Sequence, residues 1–145
     1  MAEKTKGLIS IDAPADAVMS VIADFEAYPQ WVSAAKSVSV LAVDADGRAE
    51  RVRFVLDAGM VKDTYELRYS WAADGNAVSW ELVSGEIQKA QSGSYTLEPD
   101  AKGATKVTYQ LTVDLTIPMI GLFKRKAEKI ITDTALKELK KRVEG

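Results

Sequence analysis

The sequence predicts an α+β fold in which a curved antiparallel sheet of about seven strands wraps around one long C-terminal helix, with two short helices after the first strand. Three observations carry this. From about residue 36 to 115, apolar and polar residues alternate with a period of two, interrupted by turn residues. Before that run, Val18, Val21, Ile22 and Phe25 recur at helical spacing. After Pro118, the chain to residue 144 holds no further proline and no glycine beyond Gly121, and reads as a single helix.

Taken in order, residues 5–11 form the first strand. Asp12 is the expected N-cap of the first helix and Pro14 sits near its first position. Tyr28-Pro29 stops or restarts that helix, so residues 14–33 hold two short ones. Val38 and Val40 open the second strand, closed by the turn Asp44-Ala45-Asp46-Gly47. Val52, Phe54 and Leu56 make the third, turned at Ala58-Gly59, and Tyr65, Leu67, Tyr69 and Trp71 the fourth. Val78, Trp80 and Leu82 mark the fifth, followed by a longer hairpin, Ser84 to Lys89. Gly93, Tyr95 and Leu97 mark the sixth, and Val107, Tyr109, Leu111, Val113 and Leu115 the seventh. Regular alternation means that one sheet face is covered and the other wet. On the closing helix, Ile120, Phe123, Ala127, Ile130, Ile131 and Thr134 fall on one side, the side expected to cover the sheet.

The 145 residues are expected to form a single domain, 1–145, because no repeat, linker or low-complexity tract divides them. With no Cys and no His, the chain has no disulfide, thiolate nucleophile, Ser-His-Asp triad or soft metal ligand, and no transition-metal site or cofactor is expected. Any catalysis would rest on Asp, Glu, Lys, Tyr or water. A pI near 5.3 argues against nucleic-acid binding. The first ten residues have no apolar signal core, and no apolar run is long enough to span a bilayer, so a cytoplasmic protein is expected. Residues 118–145 carry eight basic and four acidic side chains, a local charge of +4 against −6 for the rest. That charge suits a solvated helix face or a transient contact with an anionic membrane surface.

Three stretches carry a resemblance: Ile11 to Val18 at the first strand-to-helix junction, Asp24 to Trp31 after it, and Gly93 to Pro99 with Gly103 to Tyr109 across the last hairpin. In this order they resemble the START-like (SRPBCC) superfamily, particularly its polyketide cyclase/dehydrase and lipid-transport branch. The resemblance runs from about Lys6 to Arg142. It implies the helix-grip fold, and a deep cavity between sheet and long helix that holds an apolar or aromatic small molecule. In related cyclases an inward Arg beside Tyr or Trp is thought to polarise the substrate; strand parity here puts Arg53 and Arg68 outside.

Parity also puts Tyr65, Tyr69, Trp71, Trp80, Tyr95 and Tyr109 on the covered face, beneath a helix stripe that is partly small. Read as core, these are ordinary large strand formers. Read as a site, the ligand contacts are Tyr65, Tyr69, Trp80, Tyr95 and Tyr109 from the sheet, with Phe123, Ala127, Ile130 and Thr134 from the helix. Phenol hydroxyls and indole N–H groups would orient the ligand. Tyr28 to Trp31 reads as a lid turn at the cavity mouth or, as Pro29 and the two rings favour, a rigid packed corner, and Met119 to Phe123, with Gly121, as the candidate gate. Three functions stay open: binding or transport of a hydrophobic small molecule (lipid, quinone or polyketide-like aromatic), a cyclase/aromatase-type enzyme, and a protein-interaction module. The absence of an inward Arg leans away from the enzyme.

Overall fold

The computed structural model describes residues 5–57, 62–116 and 121–145, without the side chains of 121–123. Strand β1 (Thr5–Ile11) leads to helix α1 (Ala15–Ala23) and a 3₁₀ turn (Phe25–Gln30). Six strands follow: β2 (Ala35–Val43), β3 (Ala49–Asp57), β4 (Lys62–Trp71), β5 (Ala77–Gly85), β6 (Gln88–Pro99) and β7 (Thr105–Leu115). Helix α2 (Gly121–Glu144) closes the chain. The seven strands form one antiparallel sheet in the order β1-β7-β6-β5-β4-β3-β2, so the first strand pairs with the last and the rest follow as hairpins.

The period-two reading places the right residues on the covered face. Val52 and Phe54, Leu67 and Tyr69, Val78 and Trp80, Tyr95 and Leu97, and Val107, Tyr109 and Leu111 are all buried. The wet face pairs its charges across strands: Glu66 on β4 lies 3.9 Å from Arg51 and 3.7 Å from Arg53 of β3. Arg53 and Arg68 are exposed, as parity predicts.

Three local expectations are corrected. Asp12 does not cap α1; Pro14 occupies the cap with extended backbone, Asp16 accepts from the Ala17 N–H, and the Asp12 N–H donates to Glu144 at the far end of α2. The β5–β6 hairpin is tight, with only Glu86 and Ile87 between the strands. The reason is Asp63, whose Oδ1 takes both the Glu86 and Ile87 amides and so completes the turn from outside it.

The third correction concerns α2, which packs on β1, β7 and α1 through a stripe different from the expected one. The buried positions are Glu128, Thr132, Leu136 and Leu139. Ile130 and Ile131 are 58% and 47% exposed, Thr134 is exposed, and Ala127 is half-buried. At about 100° per residue, Ile130 and Thr134 lie on the far side of the helix from Thr132. Thr132 wins the inner position because β1 offers it a glycine. A Cβ on Gly7 would sit 2.6 Å from the Thr132 methyl and 3.0 Å from Leu136, so only glycine lets the helix come this close. Phe123 and the candidate gate from Met119 to Phe123 lie outside the described residues and side chains.

The seam between α2, β1 and β7 is also held by a buried acid. Glu128 is 1% exposed. Its Oε1 accepts from the Thr5 hydroxyl at 2.8 Å, and its Oε2 from the Val113 amide at 2.7 Å and Lys124 Nζ at 2.8 Å. The described part of β1 begins opposite Leu111, and the Val113 amide, which has no strand partner on that side among the described residues, is taken by the carboxylate.

Candidate functional site

Ten aromatic rings form one connected belt over the covered face. Phe25, Tyr28 and Trp31 come from the 3₁₀ turn and its end. Phe54 of β3 stacks on Tyr65 of β4 with centroids 5.2 Å apart. Tyr69 meets Phe25 at 4.7 Å, Trp71 at 6.2 Å and Trp80 at 5.7 Å. Trp80 in turn touches Tyr95 and Tyr109, which cross edge-on at 4.8 Å. The five sheet residues predicted from parity, Tyr65, Tyr69, Trp80, Tyr95 and Tyr109, are thus brought together. Trp80 lies flat across β6 because its cross-strand partner is Gly93, where a Cβ would come within 2.5 Å of the indole.

The polar ends of these rings divide into two groups. Tyr28 donates to the Ile22 carbonyl, which makes the Tyr28–Trp31 segment a packed corner. Trp71 donates to the Ala49 carbonyl at 2.7 Å, and Trp80 to Gln91 Oε1 at 3.0 Å. The expectation that indole N–H groups serve a ligand is therefore corrected, since both are taken by the protein. The Trp80 bond ends a relay that sequence reading missed. Gln91 donates to Gln88, and Gln88 to Asp63 Oδ2 at 3.0 Å. Asp63 is 2% exposed, and its position two residues before Tyr65 on the apolar side of the alternation was the available signal.

The second group is the hydroxyls of Tyr65, Tyr69, Tyr95 and Tyr109. None makes a hydrogen bond to a described residue. Nor does any appear among the fully occluded, unpartnered polar atoms of the described side chains, which are Arg51 Nε and Thr112 Oγ1. Burial raises the pKa of all four and of Tyr28 well above the ordinary phenol value. Tyrosine neighbours add to the effect: Tyr109 acts on Tyr28, Tyr65, Tyr69 and Tyr95, and Tyr28 on Tyr69 and Tyr95. At neutral pH all five remain protonated. The chain's chemistry here is neutral donors and acceptors set in an aromatic wall. No group of acidic side chains among the described residues is arranged to hold a metal ion.

A concavity of about 600 Å³ lies on the outside, between the 3₁₀ turn and the end of α2. Gln30, Trp31, Lys137, Glu138, Lys141 and Arg142 line it. Arg142 donates to Gln30 Oε1 at 2.9 Å, and the Ser33 amide to Glu138 at 3.2 Å.

A curved seven-stranded antiparallel sheet with one long C-terminal helix packed against it is the helix-grip fold of START-like proteins. Residues 3–144 match the family described as polyketide cyclase / dehydrase and lipid transport, and the chain belongs to that family. Among solved structures, it is similar to a START superfamily protein from Mycobacterium smegmatis at 24% identity, with a TM-score of 0.92 over 99% of this chain and 98% of that one. A protein from Thermus thermophilus matches at 24% identity and TM-score 0.80, covering 97% and 96% of the two chains. The Zhui aromatase/cyclase from a Streptomyces species matches at 15% identity and TM-score 0.77, covering 97% and 93%. At these identities the likeness is one of fold. No curated protein matches the chain.

Proposed function

We propose that this chain is a cytoplasmic binding or transport protein for a hydrophobic small molecule (a lipid, quinone or polyketide-like aromatic) held against the floor of Tyr65, Tyr69, Trp80, Tyr95 and Tyr109. The observation that carries this reading is the set of four phenol hydroxyls that have no partner among the described residues, on an otherwise largely buried aromatic surface. Tyr69, Tyr95 and Tyr109 are only 7–8% exposed as residues, but their hydroxyls are not fully occluded, so each reaches space that water or a ligand oxygen can occupy. Native structures seldom leave four such groups together unless something else meets them. A ligand with oxygen substituents on an apolar frame would do so, its rings stacked on the wall and its oxygens held by the hydroxyls. Of the helix residues expected to join them, Ala127 is half-buried, while Ile130 and Thr134 are turned away from the face that packs on the sheet.

A second reading, a cyclase/aromatase-type enzyme, is supported by the family description and by the likeness to an aromatase/cyclase. The site favours binding over proton transfer, because raised phenol pKa values make poor acids and poorer bases near neutrality. Loading from an anionic membrane surface, to which the basic α2 is attracted, fits the carrier reading.

Native mass spectrometry of freshly purified protein, followed by organic extraction, tests both. A co-purified apolar compound, displaced by a naphthalene dye in wild type and held less tightly by Tyr109→Phe, supports the carrier. Turnover of a poly-β-keto chain would move the assignment to the enzyme. Failure of wild type to bind any apolar probe would remove both.

A further inference from the structure

The outward face of α2 combines exposed aliphatic side chains with unneutralised positive charge. Ile130 and Ile131 are among the most exposed large apolar residues described, on a helix that otherwise shows solvent polar groups. All four acids of α2 are engaged. Glu128 is buried with Lys124, Asp133 pairs with Lys129 at 3.3 Å, Glu144 pairs with Lys140, and Glu138 takes the Ser33 amide. Arg125, Lys126, Lys137, Lys141 and Arg142 are exposed and have no acidic partner among the described residues.

These features lie on neighbouring sides of one helix. Lys126, Ile130, Lys137 and Lys141 share the side opposite Thr132, by about 100° per residue. Ile131 lies two turns from Glu138, on the flank that ends in the Trp31 groove. The groove adds a half-buried tryptophan ring next to Lys141 and Arg142. Isoleucines between lysines, with a tryptophan at one end, are what a helix lying in a membrane interface presents. Nucleic acid would meet the charge but offers nothing to an isoleucine pair. The charge left elsewhere on the chain, −6, would turn this face and no other toward an anionic surface.

We infer that α2 is a docking face for an anionic phospholipid bilayer, with Ile130 and Ile131 entering the headgroup–acyl boundary and Lys126, Lys137, Lys141 and Arg142 meeting lipid phosphates. The inference rests on the carrier reading for its purpose only; the docking itself requires no ligand in the aromatic site.

The test is flotation of the purified chain with large vesicles of phosphatidylcholine alone and of phosphatidylcholine with about one third phosphatidylglycerol. Wild type should float with the anionic vesicles, and the bound fraction should fall steeply as salt rises. Ile130→Ser and Lys137→Glu/Lys141→Glu should each weaken binding about tenfold or more, with unchanged thermal unfolding, since all three positions are exposed. Dye binding to the aromatic site should be unaffected by either change, which separates failure of docking from failure of the carrier reading. Absence of binding to anionic vesicles, equal binding to neutral ones, or wild-type binding by both variants would overturn the inference. A concentration-dependent dimer abolished by Ile130→Ser would assign the face to a second copy of the chain instead.

Discussion

The aromatic floor and the α2 seam bury polar groups of similar kind and treat them in opposite ways. At the seam, the Glu128 carboxylate meets a hydroxyl, an amide and an ammonium, so its oxygens are matched from within the protein. On the floor, the protein completes the Trp71 and Trp80 indoles and Tyr28, while four phenol hydroxyls have no partner among the described residues. One sheet carries both regions, so folding demands do not explain the difference. A matched buried charge serves the scaffold, whereas hydroxyls with no partner among the described residues are available to water or, in the proposed function, to a ligand.

The strongest way to break the contrast is alkaline titration. All five tyrosines of the chain belong to the belt, and all have pKa values raised by burial. As pH climbs past the unfolded phenol value of about 10, the unfolded chain loses its protons first, so unfolding is favoured progressively from there upward. Phenolate absorbance should therefore appear only together with loss of the far-ultraviolet signal. Phenolate formation in a still-folded protein would show that the floor is open to bulk water.

Removing the seam's acid should cost most among single substitutions. Glu128→Ala leaves the Val113 amide and the Thr5 hydroxyl short of a partner and Lys124 with only Asp114, 3.6 Å away, at about 3 kcal/mol in urea unfolding. Gly93→Ala comes next, because the new methyl collides with the Trp80 indole and the Gln110 carbonyl. A loss of about 1–3 kcal/mol, with a shifted tryptophan emission, is expected.

The finest test compares two tyrosines. Tyr28→Phe removes a hydroxyl bonded to the Ile22 carbonyl and should cost about 1 kcal/mol. Tyr109→Phe removes one that the protein does not use, so stability should stay within about 0.5 kcal/mol while affinity for an oxygenated aromatic probe falls about 3- to 10-fold. Equal stability costs at the two positions would erase the distinction between floor and core.

Much of this was legible in the residues. Alternation alone gives six of the seven strands and the covered face, because the side-chain period of a strand is two and its register leaves each residue only two choices. The five sheet aromatics of the proposed site are placed on the covered side by the same alternation. The helix was harder: isoleucines suggested an inward stripe through Ala127, Ile130 and Thr134, yet the buried stripe runs through Glu128, Thr132 and Leu136. Apolarity is a weak guide to helix orientation when the partner strand decides how closely a backbone can come. Gly7 admits Thr132 at a distance no larger residue on β1 would allow.

The sequence by itself therefore determined the element order, the face of the sheet that is covered and the absence of soft metal ligands and thiols, since these depend on local periodicity and composition. Only the tertiary structure decided which polar groups are satisfied. Asp63 closes a hairpin more than twenty residues away and Glu128 caps a strand on another element, contacts that no spacing encodes. The same long-range accounting assigns the Trp71 and Trp80 indoles to protein acceptors and leaves four hydroxyls without a partner among the described residues. Hydrogen bonding is directional and short in range, so partnership is settled by three-dimensional placement rather than by residue type.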